Sequence, residues 1–114
     1  MKQGKVPFKS EFKVVLANAR SQAAEMVLSP GKNEGGPDNK HKGADQWMFV
    51  LSGRGEVVIN GKKQKIGKSS LVLIERGDAH EIRNTGTTPL KTLNFYVPPA
   101  YTPAGDELPA GKPK

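Results

Sequence analysis

Apolar and polar positions exchange along this chain over short stretches, in the manner of strands. Residues 11–17, EFKVVLA, set Phe12, Val14 and Leu16 on one side of a strand, although Phe12, Leu16 and Ala19 also satisfy a helical spacing. Residues 22–28, QAAEMVL, run into Ser29-Pro30-Gly31, which neither strand nor helix continues easily. A polar loop of fourteen residues follows, KNEGGPDNKHKGAD, and loops of that length in small domains are functional or disordered. Trp47-Met48-Phe49-Val50-Leu51 is apolar on both parities, so both faces of this strand need cover. The core takes one face; a second sheet, a terminal strand or a partner subunit takes the other. Gly53-Arg54-Gly55 reads as a turn and Glu56–Ile59 as a strand. Asn60-Gly61 is a type I′ hairpin signal, with a return strand near Lys63–Ile66. Leu71–Ile74, His80–Arg83 and Thr92–Val97 supply three more strands.

About eight short strands with Gly and Pro punctuation, and no helix beyond two turns, predict an all-β fold. It is a single-domain jelly-roll β-barrel over residues 1–97. Residues 98–114 carry five of the nine prolines and form a tail that is extended, mobile or wrapped over the body. The composition narrows the function classes. The 114 residues carry 18 Lys and Arg against 11 Asp and Glu, a formal charge of +7. The lysines are dispersed, however, and the seven aromatics do not interleave with them as a base-stacking platform would, so a nucleic-acid partner is not expected. No apolar run approaches the roughly 20 residues of a membrane span, and MKQGKVPFKSEFK lacks the apolar core of a secretion signal. The expectation is a soluble, cytoplasmic protein with no membrane partner. Cysteine is absent, which removes disulfides, thiolate metal sites and cysteine nucleophiles.

The only imidazoles are His41 and His80, each beside a predicted strand. Around the first stand Asn39-Lys40-His41, then four residues, Gln46, six residues and Gly53; around the second, Glu75-Arg76-Gly77, two residues, His80, three residues and Asn84. Position for position this spacing resembles the two motifs of the cupin superfamily over residues 24–97. Asn39 stands where that family has its first histidine and Gln46 where it has a glutamate. Ser69 replaces a usual Gly and Glu75 a usual Pro. The string GGPDN-x-H-x-GADQW further resembles the small cupins described as tetracenomycin-type polyketide synthesis proteins.

The resemblance implies a metal held by Asn39, His41, Gln46 and His80. Strand parity agrees with it: residues 39 and 41 share a face, Gln46 shares one with Met48 and Val50, and His80 shares one with Ile82 and Asn84. This set lacks the carboxylate that offsets a divalent charge. Zn²⁺ is favoured over Ni²⁺, with Fe²⁺ and Mn²⁺ as further candidates, and neutral ligands make the ion a stronger Lewis acid. Asp38 and Asp45 flank the ligand positions and substitute for them if a bulge shifts the register. The same four residues also satisfy one another as a hydrogen-bonded cluster without metal. Met26, Met48, Phe95 and Tyr96 are candidates for the pocket wall. Glu56, Glu81 and Arg83 read as solvated charges, and Glu75 with Arg76 as a loop ion pair. The function expected is action on a small substrate in the barrel, an aromatic polyketide, with the metal as Lewis acid. The alternatives are a non-catalytic binding module and a redox-metal oxygenase. The two-faced strand at 47–51 predicts a homodimer.

Overall fold

The computed structural model describes residues 1–36 and 43–109, which form nine strands and, among the described residues, no α-helix. In chain order they are β1 (Phe12–Ala17), β2 (Gln22–Leu28), β3 (Asn33–Gly35), β4 (Asp45–Ser52), β5 (Arg54–Ile59), β6 (Lys62–Gly67), β7 (Leu71–Ile74), β8 (His80–Asn84) and β9 (Leu90–Val97). Two antiparallel sheets face each other as a jelly roll, one ordered β1-β2-β9-β4-β7 and the other β3-β8-β5-β6. The strand reading of residues 12–17 holds over the helical one because β1 pairs along β2, from Phe12 opposite Met26 to Ala17 opposite Gln22.

The inward parity supplies the core. Met26, Leu28, Met48, Val50 and Leu90 from the five-stranded sheet meet Val57, Ile66 and Ile82 from the other. A second cluster gathers Ala24, Ala44, Tyr96 and Ala100, with Phe12 and Tyr101 packed against it. Outward, β4, β7 and β9 keep Trp47, Leu51, Leu71, Leu73, Phe95 and Val97 exposed, with Trp47 opposite both Phe95 and Leu73. Phe95 therefore faces away from the space between the sheets, and Met48 is sealed in the core.

Several local expectations change. The fourteen-residue loop contains a strand, β3, in which Glu34 pairs opposite Ile82. Three residues without apolar alternation give no periodic signal; the open edge of β8 orders them. Gly55 lies within β5 rather than in a turn, and a Cβ there would run into the carbonyl oxygen of Arg83. Glu81 is not solvated but 9% exposed, because Arg83 Nη2 donates to it at 2.8 Å and Asn33 Nδ2 at 2.7 Å. These bonds, Arg83 first, hold the Glu81 carboxyl below the usual carboxylate range. Arg76 pairs with Asp45 rather than Glu75: its amide donates to Asp45 Oδ1 at 2.9 Å and its Nε stands 3.7 Å from that oxygen.

Segments flanking the strands fold back on the body. Buried Glu25 accepts hydrogen bonds from the amides of Lys9 at 2.8 Å and Ser10 at 3.0 Å, fixing the N-terminal segment over the outer face of β2. Buried Gln22 donates to the Tyr101 carbonyl and accepts from the amides of Ala100 at 3.3 Å and Tyr101 at 3.2 Å. Tyr101 then bridges Glu107 in a small reversal that lies across one end of the barrel.

Candidate functional site

His80 is positioned from the hairpin tip. Asn60 takes φ 49° and Gly61 φ 82°, as a type I′ turn requires. In that conformation Asn60 Oδ1 accepts from the Ala79 amide at 2.9 Å, its Nδ2 donates to Asp78 Oδ1 at 3.0 Å, and its amide donates to the Ala79 carbonyl at 2.8 Å. The residue before His80 is thereby clamped on both backbone groups. His80 opens β8 opposite Ile59 and points inward with Ile82 and Asn84. Its Nδ1 lies 3.3 Å from the Asp78 carbonyl, an oxygen that only accepts. A hydrogen bond there requires the proton on Nδ1.

Gln46 lies on β4 opposite Tyr96 and Ile74 and is 2% exposed. It shares the inward parity of Met48 and Val50, as read from the sequence. Gln46 and His80 line one cavity of about 270 Å³ between the sheets. Of the four candidate ligands these two are brought together; Asn39 and His41, like Asp38, lie outside the described residues. Asp45 faces away, tied to Arg76. Asn84 is structural: its Nδ2 donates to the carbonyls of Leu28 and Thr88, both at 2.9 Å, and its Oδ1 accepts from the Gly86 amide at 2.9 Å.

The rest of the wall comes from distant segments. Met26, Ile82 and Tyr96 belong to the sheets, Phe12 to the edge strand β1, Glu34 to β3, and Tyr101 and Glu107 to the C-terminal reversal. Sequence reasoning named Met26 and Tyr96 but missed Phe12, Glu34, Tyr101 and Glu107, which carry no motif and reach the cavity only through tertiary contacts. The aromatic rings interlock: Phe12 and Tyr101 have centroids 4.7 Å apart, and Tyr96 and Tyr101 5.1 Å apart at 74°. Burial, aided by the charge of Glu34, pushes the Tyr101 phenol up to about 12 and Tyr96 well above the usual tyrosine value. Both stay protonated at neutral pH, and a hydrogen bond joins the two hydroxyls. Although the chain holds 18 Lys and Arg, none lines this cavity among the described residues, whereas Glu34 and Glu107 do.

Among the described residues no three His, Cys, Asp or Glu side chains gather as a metal-holding group. Gln46, His80, Glu34 and Glu107 bring amide, imidazole and carboxylate groups to the cavity wall. A larger groove of about 490 Å³, between β5, β6 and β7, has only Lys62 as a charged lining residue.

Comparison with known proteins follows the geometry. The chain is 33% identical over 85 residues to the oxalate-binding protein of Thermotoga maritima, covering 75% of this chain and 69% of that one. It is 26% identical over 72 residues to the tetracenomycin polyketide synthase protein TcmJ of Streptomyces glaucescens, covering 63% of this chain and 46% of that protein. The crystal structure of BH2720 from Bacillus halodurans superposes with a TM-score of 0.77 at 22% identity, over 91% of this chain and 80% of that one. The family model described as the cupin domain matches residues 24–96, and the chain belongs to the cupin family.

Proposed function

We propose that this cupin binds a small, oxygen-bearing molecule in the cavity at Gln46 and His80, through a divalent metal ion held by Asn39, His41, Gln46 and His80. The observation that carries the reading is the convergence of buried Gln46 and His80, from facing sheets, on one cavity. The donor chemistry fits: imidazole and amide oxygen suit Zn²⁺ or Ni²⁺ better than Mg²⁺ or Ca²⁺. The Nδ1 contact of His80 orients its ring as ligating histidines are oriented. Bound there, the ion supplies Lewis acidity toward a carbonyl or enolate oxygen.

The protein's own groups do the remaining work. The Tyr96 and Tyr101 rings wall the cavity, Phe12 gives an aromatic ring a face to pack on, and residues 100–107 limit the entry of water. The likeness to an oxalate-binding protein and to TcmJ supports ligands that present oxygen atoms, and the second supports an aromatic polyketide. A second copy covers the apolar outer face of β4, β7 and β9, making the protein a homodimer; six exposed large side chains on one face support this.

Elemental analysis of the purified chain, beside the His41→Ala and His80→Ala variants, tests the reading. Near-stoichiometric metal lost in both variants is the expected result. The element found separates Lewis-acid chemistry from a redox oxygenase, for which Fe, Mn, Ni or Cu is required. Absence of metal, even after incubation with Zn²⁺, Ni²⁺, Mn²⁺ and Fe²⁺, overturns the metal site. Ligand retained unchanged by a metal-loaded protein overturns catalysis in favour of a binding module.

A further inference from the structure

One side of the cavity at Gln46 and His80 is closed by the C-terminal reversal, which brings Tyr101, Gly105 and Glu107 to its wall. A second space lies against the same reversal, a groove of about 550 Å³ walled by Ala17, Pro98, Pro103 and Leu108. Tyr101 lines both spaces, so at that point one residue separates the cavity from the groove. A segment with space on two sides has few packing contacts to lose when it moves, and such segments open at the low end of a protein's range of local stabilities.

The reversal holds its own shape. The Thr102 amide donates to the Asp106 carbonyl at 2.7 Å, the Gly105 amide to the Thr102 carbonyl at 2.8 Å and the Leu108 amide to the Ala100 carbonyl at 2.8 Å, while the Asp106 amide donates to the Thr102 hydroxyl at 3.1 Å. It belongs to neither sheet. Its root is fixed, since Ala100 is fully buried in the cluster with Ala24 and Tyr96. The next residue out is held by side chains. Gln22 Oε1 accepts from the amides of Ala100 at 3.3 Å and Tyr101 at 3.2 Å, and its Nε2 donates to the Tyr101 carbonyl. The Tyr101 ring packs on Phe12 and Tyr96 and shares a hydrogen bond with the Tyr96 hydroxyl. Both bonds that Gln22 accepts lie at the long end of the hydrogen-bond range. Releasing them breaks no strand pairing.

We infer that residues 101–107 are a gate to the cavity, with the Tyr101 ring as its closing element and the Gln22 side chain as its latch. When the latch opens, the tip swings as a unit on Ala100 and Leu108 and joins the cavity to the groove. The inference rests on the reading of this cavity as the ligand site and adds the route by which the ligand reaches it. Among the described residues the groove has no charged lining side chain, which suits the apolar body of an aromatic ligand.

The test is the rate at which diethyl pyrocarbonate modifies His80, which is 3% exposed on the cavity wall, read by peptide mass on the full-length protein after a chelator has removed any bound ion. Exchange of the Met48 amide, deep between the sheets, reports whether the body stays intact. In Gln22→Ala, His80 is expected to react at least tenfold faster than in the parent, with Met48 exchange unchanged. Tyr101→Ala leaves the bonds of Gln22 in place, because they go to backbone groups, and removes the ring; the same rise is expected. If Gln22→Ala fails to fold, Tyr101→Ala decides. Reactivity within twofold of the parent in either folded variant overturns the gate. A rise at His80 matched by faster Met48 exchange overturns it too, because the sheets have then loosened as a whole. Neither metal nor ligand enters this readout, so a chain that binds no metal overturns the proposed site chemistry while the His80 rates still decide the gate.

Discussion

Ser69 stands at φ 73°, in the left-handed region, while its amide donates to the Val50 carbonyl at 2.8 Å. Cupins commonly place glycine here, and the geometry explains why: a Cβ in this region costs about 1–2 kcal/mol. Glycine returns part of that through its freer unfolded chain, about 0.4–1 kcal/mol. Ser69→Gly is therefore expected to stabilise the fold by roughly 0.5 kcal/mol, a rise of about 2–4 °C in a thermal melt. An unchanged or lower midpoint counts against the strain. The two tyrosines offer a second test at this scale, since they are the only ones in the chain. Tyrosinate absorbance is expected to show no ionisation step at the ordinary value of 10, with Tyr101 titrating near 12 and Tyr96 well above 10. Because both folded values lie above the unfolded one, their contribution to stability is complete below pH 10 and declines as the pH rises through the folded values. A step near pH 10 in the folded protein shows that the phenols are not buried as described.

At the scale of elements, the β5–β6 hairpin acts on the site without touching it. Asn60 is readable from sequence as a turn residue, yet its side chain has a further task, clamping Ala79 beside His80. Asn60→Gly preserves the type I′ turn and the backbone bond to the Ala79 carbonyl, and removes the side-chain bonds to the Ala79 amide and Asp78. The expected result is loss of about 1–2 kcal/mol of stability, faster amide exchange at Ala79 and several-fold weaker Zn²⁺ binding. Unaltered exchange at Ala79 means that the loop from Glu75 to Ala79 holds itself. The strands were legible where apolar residues alternate, as in Gln46, Met48 and Val50. They were not legible in β3, whose Asn33-Glu34-Gly35 has no apolar member and is a strand only because β8 offers it an edge. The ion pairs followed the same division. Arg76 finds Asp45, 31 residues away, rather than its neighbour Glu75, because β4 and β7 bring them together.

At the scale of the whole molecule, the two faces of β4 have different fates. Met48 and Val50 are sealed between the sheets, while Trp47, at 41% exposure, stands with Phe95 and Leu73 on a continuous apolar surface. A surface of this kind on a chain otherwise rich in lysine supports the proposed homodimer. Light scattering is expected to give a particle near 25 kDa, twice the 12.3 kDa chain, and the Trp47→Glu/Leu73→Lys variant the single-chain mass. A monomeric parent refutes the interface.

The sequence by itself determined the strand-rich architecture, the hairpin at Asn60-Gly61, and the inward parity of Gln46 and His80. Each of these follows from local steric preference or from a two-residue alternation that one face of a sheet must satisfy. Only the tertiary structure decided which side chains surround that pair. Phe12, Glu34, Tyr101 and Glu107 come from an edge strand, a three-residue strand and the Pro-rich segment, and they meet at one cavity because strand pairing and the reversal at residues 100–107 bring them there. Their placement depends on hydrogen bonds between distant residues, such as those of Gln22 with residues 100 and 101, and no periodicity along the chain encodes such contacts.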